Sequence, residues 1–157
     1  MTNTQKDAEP FILFELAGTT YGVRSRFVQQ IELIEHVTPV PNAPAAVEGV
    51  VLARGQVIPA LNLRARFGFE RIAFDLRSRL IVVSTGGRTL GLIVDSAREF
   101  LRIPETAVEP TPEAITGLSG KYLEGVATLK GRIILVLDLD EVIDLGEQQI
   151  TAGAQSA

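Results

Sequence analysis

Between Phe11 and Leu137 the apolar residues come in short alternating runs, most of them closed by a glycine. Phe11 to Ala17 sets Ile12, Phe14 and Leu16 on one face opposite Glu15, the two-residue period of a strand. Gly18-Thr19 reads as a turn and Thr20 to Arg24 as the returning arm of a hairpin. Phe27, Val28, Ile31 and Ile34 follow a helical period, yet Ile31 to Ile34 favour a strand, so a short helical turn leading into a strand is predicted. Thr38 to Pro44 carries three prolines, which lack amide donors and fix φ, and is predicted to be an extended connection. Glu48 to Ala53 and Gln56 to Leu61 form a second hairpin about Arg54-Gly55, where glycine takes positive φ without a steric cost. Asn62 is placed to cap one helical turn, Leu63 to Phe67, which Gly68 stops. Glu70 to Ser78 is a charged loop.

The remainder repeats this plan. Arg79 to Thr85 and Thr89 to Asp95 are strands around Gly86-Gly87, and Ser96 to Ile103 is a third element. Pro104 to Lys121 is a long loop, followed by a hairpin, Tyr122 to Leu129 and Arg132 to Leu137, around Lys130-Gly131. Asp138 caps a closing turn to Asp144, with Glu141 in the third helical position of a capping box. The likeness is literal. Glu48 to Leu63 recurs as Glu124 to Leu139, 76 residues on, with Glu, Gly, Val, Gly, Ile and Leu in register and Arg54 answered by Lys130. Ile12, Gly18 and Gly22 match Ile81, Gly87 and Gly91 at an offset of 69. Gly49 and Gly125 are expected to serve the backbone rather than a partner.

Strands spaced by about 8–12 residues with glycine turns predict an all-β barrel or sandwich. Duplication makes that two small barrels packed on one another, with repeats over about 11–68 and 79–144 and flexible tails at 1–9 and 146–157. The seam between two such halves is a natural groove for a partner.

Composition narrows the function. At 157 residues one domain can bury roughly 70% of its unfolded surface, so no metal or disulfide is required for stability. Cysteine is absent, which excludes thiolate metal sites and suits a reducing compartment. The polar first ten residues lack a secretion core, and Ile133 to Leu137 is far short of the ~20 apolar residues of a membrane helix. A soluble cytoplasmic protein is expected. The net charge of −4 argues against nucleic acid. Arg64, Arg66, Arg71, Arg77 and Arg79 cluster, but without the exposed stacking aromatics of a nucleic-acid groove, and a solvated arginine loop is expected. His36 is the one histidine, and an exposed strand-end position explains it better than a general base or a metal ligand. Asp138, Asp140, Glu141 and Asp144 lack EF-hand spacing. No acid, base and nucleophile set is visible, so no enzyme and no cofactor is expected.

Tyr21-Gly22-Val23, Val28-Gln29-Gln30-Ile31, Pro41 to Gly49, Ala53 to Pro59, Asn62-Leu63-Arg64, Gly91 to Asp95 and Tyr122 to Gly125 together resemble the CheW family over about residues 10–145. The resemblance implies two five-stranded SH3-like barrels sharing an apolar core, with a few short helical turns. It implies a non-enzymatic adaptor that couples chemoreceptors to a histidine autokinase of the CheA type. One barrel would dock on the kinase's regulatory domain, and the cleft between barrels would take the cytoplasmic tip of a methyl-accepting chemoreceptor. It places Val28, Gln30 and Ile31 beside the cleft, with Arg54, Gly55 and Val57 on the adjacent hairpin. Val28 is the stronger surface candidate of the two aliphatics, because Gln29 and Gln30 interrupt the apolar pattern there. Arg54→Glu or Val28→Asp is expected to weaken coupling and leave the fold intact.

The chain departs from the family at Leu52-Ala53, Gln30, Asn62 and the polar run Arg24-Ser25-Arg26; rim charges of that kind bear on partner choice. Two other readings stay open. One is the same adaptor in a non-flagellar pathway such as surface motility or gene control. The other is a small-ligand-binding β-barrel regulator, which would need a deep cavity with convergent polar groups.

Overall fold

The computed structural model describes residues 8–112 and 120–145. Residues 1–7 of the expected tail at 1–9, the whole expected tail at 146–157, and residues 113–119 of the long loop lie outside these residues. The described chain forms two antiparallel-rich sheets with a few single helical turns, the expected all-β class.

Four hairpins supply most of the strands. They are β1 (Ala8–Leu16) with β2 (Thr19–Arg24), β4 (Val47–Ala53) with β5 (Gln56–Asn62), β6 (Arg79–Thr85) with β7 (Arg88–Val94), and β10 (Leu123–Leu129) with β11 (Arg132–Leu137). Each turns through two residues of positive φ: Ala17-Gly18, Arg54-Gly55, Gly86-Gly87 and Lys130-Gly131. Such turns match the right-handed twist of the flanking strands. The first turn is therefore Ala17-Gly18 rather than Gly18-Thr19, because the glycine belongs at the second position. β3 (Val28–Leu33) follows a 3-10 turn at Ser25–Phe27, as the mixed pattern predicts. β8 (Ser96–Pro104) is followed by another 3-10 turn and by a two-residue strand, β9 (Val108–Glu109), inside the segment expected as loop.

Each sheet takes strands from both repeats. The five-stranded sheet runs β3-β6-β7-β5-β4 and the six-stranded sheet β8-β1-β2-β11-β10-β9. The exchange is reciprocal. β5 pairs in parallel with β7 through Ala60 and Gly91, while β11 pairs in parallel with β2 through Val136 and Gly22, the positions 76 and 69 residues away. The sixth strand is the small β9, whose counterpart in the other sheet is the single bridge Thr38–Val50. β1 also begins at Ala8, inside the expected lead-in, because Ala8 to Pro10 pair with Pro104 to Arg102.

Gly49 shows why the repeats keep this glycine. Its φ is +153°, and a Cβ there would lie 2.1 Å from the Thr38 carbonyl oxygen. At Gly125 the same atom would lie 2.5 Å from the Glu109 carbonyl. In both barrels a connecting segment crosses the hairpin base at backbone contact, so no side chain fits.

Apolar side chains fall into three clusters. Val51, Ile58, Ala60, Leu80 and Val82 fill the five-stranded barrel, while Phe11, Leu13, Ile103, Ile134 and Val136 fill the other. The largest cluster lies between the barrels and draws on both, including Phe14, Leu61, Ile81, Leu92, Leu137 and Val142. Burying each such aliphatic is worth roughly 1.5–3 kcal/mol, so the shared cluster binds the halves into one unit. A file of rings crosses it, with centroids 5.6 Å apart from Phe14 to Tyr21, 5.6 Å to Phe67 and 5.1 Å on to Tyr122.

The helical turns are capped alike. Asn62 accepts from Ala65 N at 3.1 Å and Asp138 from Glu141 N at 3.3 Å. The reciprocal half of the expected capping box is replaced, since the Asp138 amide donates to Tyr122 O, as the Asn62 amide does to Ala46 O.

Candidate functional site

The exposed large apolar residues are unevenly placed. Among the described residues, all except Phe100 and Ile133 belong to the five-stranded barrel and the segments that leave it. On the β4–β5 hairpin, Val51, Ala53, Ile58 and Ala60 point into the barrel, which turns the cross-strand pair Leu52–Val57 outward. Leu52 is 70% and Val57 66% exposed. Arg54 and Gly55 stand beyond them at the exposed tip, with φ of +52° and +76°.

Beside this pair runs a groove of about 670 Å³. Its walls are the end of β3 with the residues that follow, and the β4–β5 hairpin; these are the two edges of the sheet, left apart where the barrel does not close. Leu33, Ile34, Leu52, Val57 and Leu80 make it apolar, and Glu32, Glu35 and His36 give it a polar border.

Of the six residues assigned from the sequence, Val57 lines the groove, and Arg54 and Gly55 extend the same hairpin. Val28, Gln30 and Ile31 lie on β3, where the ladder to β6 shifts register between Val28 and Gln30. That irregularity reverses the expected exposure. Val28 is half-buried against the shared core, whereas Ile31 is 38% and Leu33 56% exposed. Val28→Asp therefore threatens the fold. Leu33, Ile34 and Leu52 were missed as site residues; the hairpin register, which sets Leu52 opposite Val57, was the signal available for Leu52.

The arginines do other work than expected. Arg24 is not a rim charge. It is 7% exposed, and its guanidinium donates to Glu9 at 2.6 Å, to Glu105 at 2.8 Å and, through Nε, to Glu124 at 3.0 Å. Burial opposes its charge, but the hydrogen bonds to the three carboxylates outweigh that and raise its pKa further. Arg64 and Arg66 do not form a solvated loop either. Arg64 makes a bidentate pair with Asp95 at 2.8 and 2.7 Å, and Ala17 N donates to the same carboxylate at 2.9 Å. Burial would raise the Asp95 pKa, yet Arg64 and the Ala17 amide hold it below the usual carboxylate range. Arg66 lies 4.9 Å from the Tyr122 ring centroid and donates to the carbonyls of Val142, at 2.9 Å, and Glu141. It thus ties the first repeat to the end of the second. Arg71 pairs with Glu48 at 2.9 Å.

Asp138 is used as a cap and Asp140 accepts from the Thr85 hydroxyl at 3.2 Å. What the exposed parts of the barrel offer is an apolar strip with charges at its margin, the makeup of a surface for another polypeptide.

Comparison with known proteins agrees with this geometry. The model of the CheW-like domain family matches residues 10–147. The chain is 30% identical to the chemotaxis protein CheW of Rhizobium meliloti over 153 residues, covering 95% of this chain and 99% of that one. It is 28% identical to CheW of Klebsiella aerogenes, covering 90% and 86%, and 27% identical to protein FrzA of Myxococcus xanthus, covering 92% and 91%. The crystal structure of the scaffolding protein TtCheW from Thermoanaerobacter tengcongensis superposes with a TM-score of 0.82 at 29% identity, covering 88% of this chain and 94% of that chain.

Proposed function

The chain belongs to the CheW family, and on that premise we propose that it is a non-enzymatic cytoplasmic adaptor coupling methyl-accepting chemoreceptors to a histidine autokinase of the CheA type. The observation that carries the reading is the β4–β5 hairpin: an exposed cation, Arg54, at the tip of a two-residue turn, backed by the exposed Leu52–Val57 pair. A receptor tip is an antiparallel helical hairpin, which offers an apolar stripe edged with charge. The exposed aliphatics Ile31 and Val57 suit the stripe, and Arg54 and Gln30 suit its polar margin. The regulatory domain of the kinase, built of similar barrels, docks on a barrel end.

The test is reconstitution of receptor-containing membranes with kinase and adaptor. Wild-type protein sediments with the membranes and brings the kinase under receptor control. Arg54→Glu and Ile31→Asp keep the native urea-unfolding midpoint but weaken the coupling, Ile31→Asp by about 2 kcal/mol or more, as expected for a group near an interface centre, and Arg54→Glu by less, as expected for a charge reversed at the margin. If both variants sediment and couple like wild type, this hairpin is not the coupling surface.

Likeness to FrzA supports a second reading, the same adaptor in a non-flagellar pathway. Identification of the receptors that co-purify from the native lysate separates the two.

A further inference from the structure

The connection between the two repeats carries a feature that the coupling reading leaves unused. Leu76 is 90% exposed, more than any other large apolar side chain of the described residues. It does not sit on a loose loop. The Asp75 carboxylate accepts from the amides of Arg77 at 2.8 Å and Ser78 at 3.2 Å, and the Asp75 amide donates to Ser78 Oγ at 2.8 Å. Arg79 donates from Nη1 to the carbonyls of Leu76 at 2.7 Å and Ser78 at 2.8 Å. The turn is anchored from below by Ser78, which is buried, and it holds a leucine out in water. A preorganised apolar knob loses little entropy on docking.

The groove that suits this knob is next to it on the same molecule. Arg79 pairs with Leu33 in the β3–β6 ladder, and Leu33 and Leu80 line the β3–β4 groove. The charges can pair. Glu35 stands exposed at the groove's border, and Arg77, which follows Leu76 on the knob, is 71% exposed at its side chain and held only by a 3.4 Å contact to the half-exposed Asp75, a solvent-screened pair that a second carboxylate can share. A knob and a hole side by side cannot meet within one chain, but a two-fold axis between them satisfies both at once in a pair of chains. We propose that two copies of this chain dock reciprocally, each placing Leu76 in the other's β3–β4 groove with Arg77 against Glu35. The interface is isologous and closes as a dimer instead of growing into a filament. It covers Val57, so the dimer is a state in which the proposed coupling hairpin is partly withdrawn; that consequence rests on the coupling reading, while the dimer itself does not.

Sedimentation equilibrium of the full chain from about 10 µM to about 1 mM spans the range of a weak, small interface. Wild type is expected to move from monomer towards twice the monomer mass. Leu76→Asp, at an exposed site that leaves the fold alone, weakens the dimer by about 30-fold. Arg77→Glu and Glu35→Arg each weaken it about 5- to 10-fold alone, because each sets like charges opposite one another. Their equimolar mixture restores a mixed dimer, since one contact is then native and the other is the same ion pair reversed. A wild-type chain that stays monomeric throughout overturns the proposal. So does a dimer indifferent to Leu76→Asp, or a mixture that associates no better than the single variants.

Discussion

Arg24→Met tests whether the buried Arg24 guanidinium and its three glutamates fasten the segments of the six-stranded barrel to one another. Glu9 belongs to β1, Arg24 to β2, Glu124 to β10, and Glu105 to the turn after β8, so one side chain joins four segments. The Glu9 contact is shielded, with side chains 8% and 16% exposed, and a charge-assisted hydrogen bond of that kind is worth roughly 1.5–3 kcal/mol. Glu124 and Glu105 are 34% and 51% exposed at their side chains, so water screens and replaces them; about 0.5 kcal/mol each is a fair discount. The guanidinium also lies 5.0 Å from the Phe11 ring centroid, adding about 0.5–1 kcal/mol. Methionine keeps the apolar stem, so the expected loss is about 3–5 kcal/mol, or roughly 6–20 °C in Tm for a domain of this size. Urea unfolding at neutral pH with thermal melting reads both numbers. Arg24→Lys, which keeps the charge but not the fork, is expected to fall between. A loss under about 1 kcal/mol for Arg24→Met would mean that the carboxylates rearrange freely into water, and the cluster would not be a fastening.

Asp95→Asn is expected to cost about 2 kcal/mol at pH 7, by weakening the fork to Arg64. Because the folded Asp95 pKa is depressed, its contribution is fully present above the ordinary carboxylate pKa of about 4 and is lost as the pH falls through the folded value. Wild type and Asp95→Asn should therefore converge in urea midpoint under strong acid, and a gap that persists there would contradict the assignment. Gly49→Ala places a Cβ on the Thr38 carbonyl and should cost more than about 3 kcal/mol, whereas Gly55→Ala, with open space around it, costs only about 1–2 kcal/mol of left-handed strain; equal losses in thermal melts would refute the close approach. Val28→Asp should unfold at distinctly lower urea than Ile31→Asp, by about 1–3 kcal/mol, since only Val28 packs on the core.

Much of the architecture was legible in the chain, because alternation and turn chemistry are local. Arg54-Gly55 and Lys130-Gly131 specify their hairpins without help from the rest of the molecule, as do the caps Asn62 and Asp138. The duplicated Gly49 and Gly125 mark the same backbone crossing twice. Leu52 and Val57 could be paired across Arg54-Gly55 by counting, though their exposure could not be assigned, since both faces of that hairpin are rich in apolar residues.

The sequence by itself determined the strands, their turns and the two-fold repetition, since each depends on residues a few positions apart. Only the tertiary structure decided which strands share a sheet: the repeats exchange strands, and nothing local distinguishes β5 pairing with β7 from β5 pairing within its own repeat. It likewise decided the fate of the charges. Arg24 finds its carboxylates 15, 81 and 100 positions away, and Arg64 meets Asp95 at a distance of 31. A charge in sequence is solvated or buried according to what the fold brings against it, and that is a property of contacts the chain makes only once it has closed on itself.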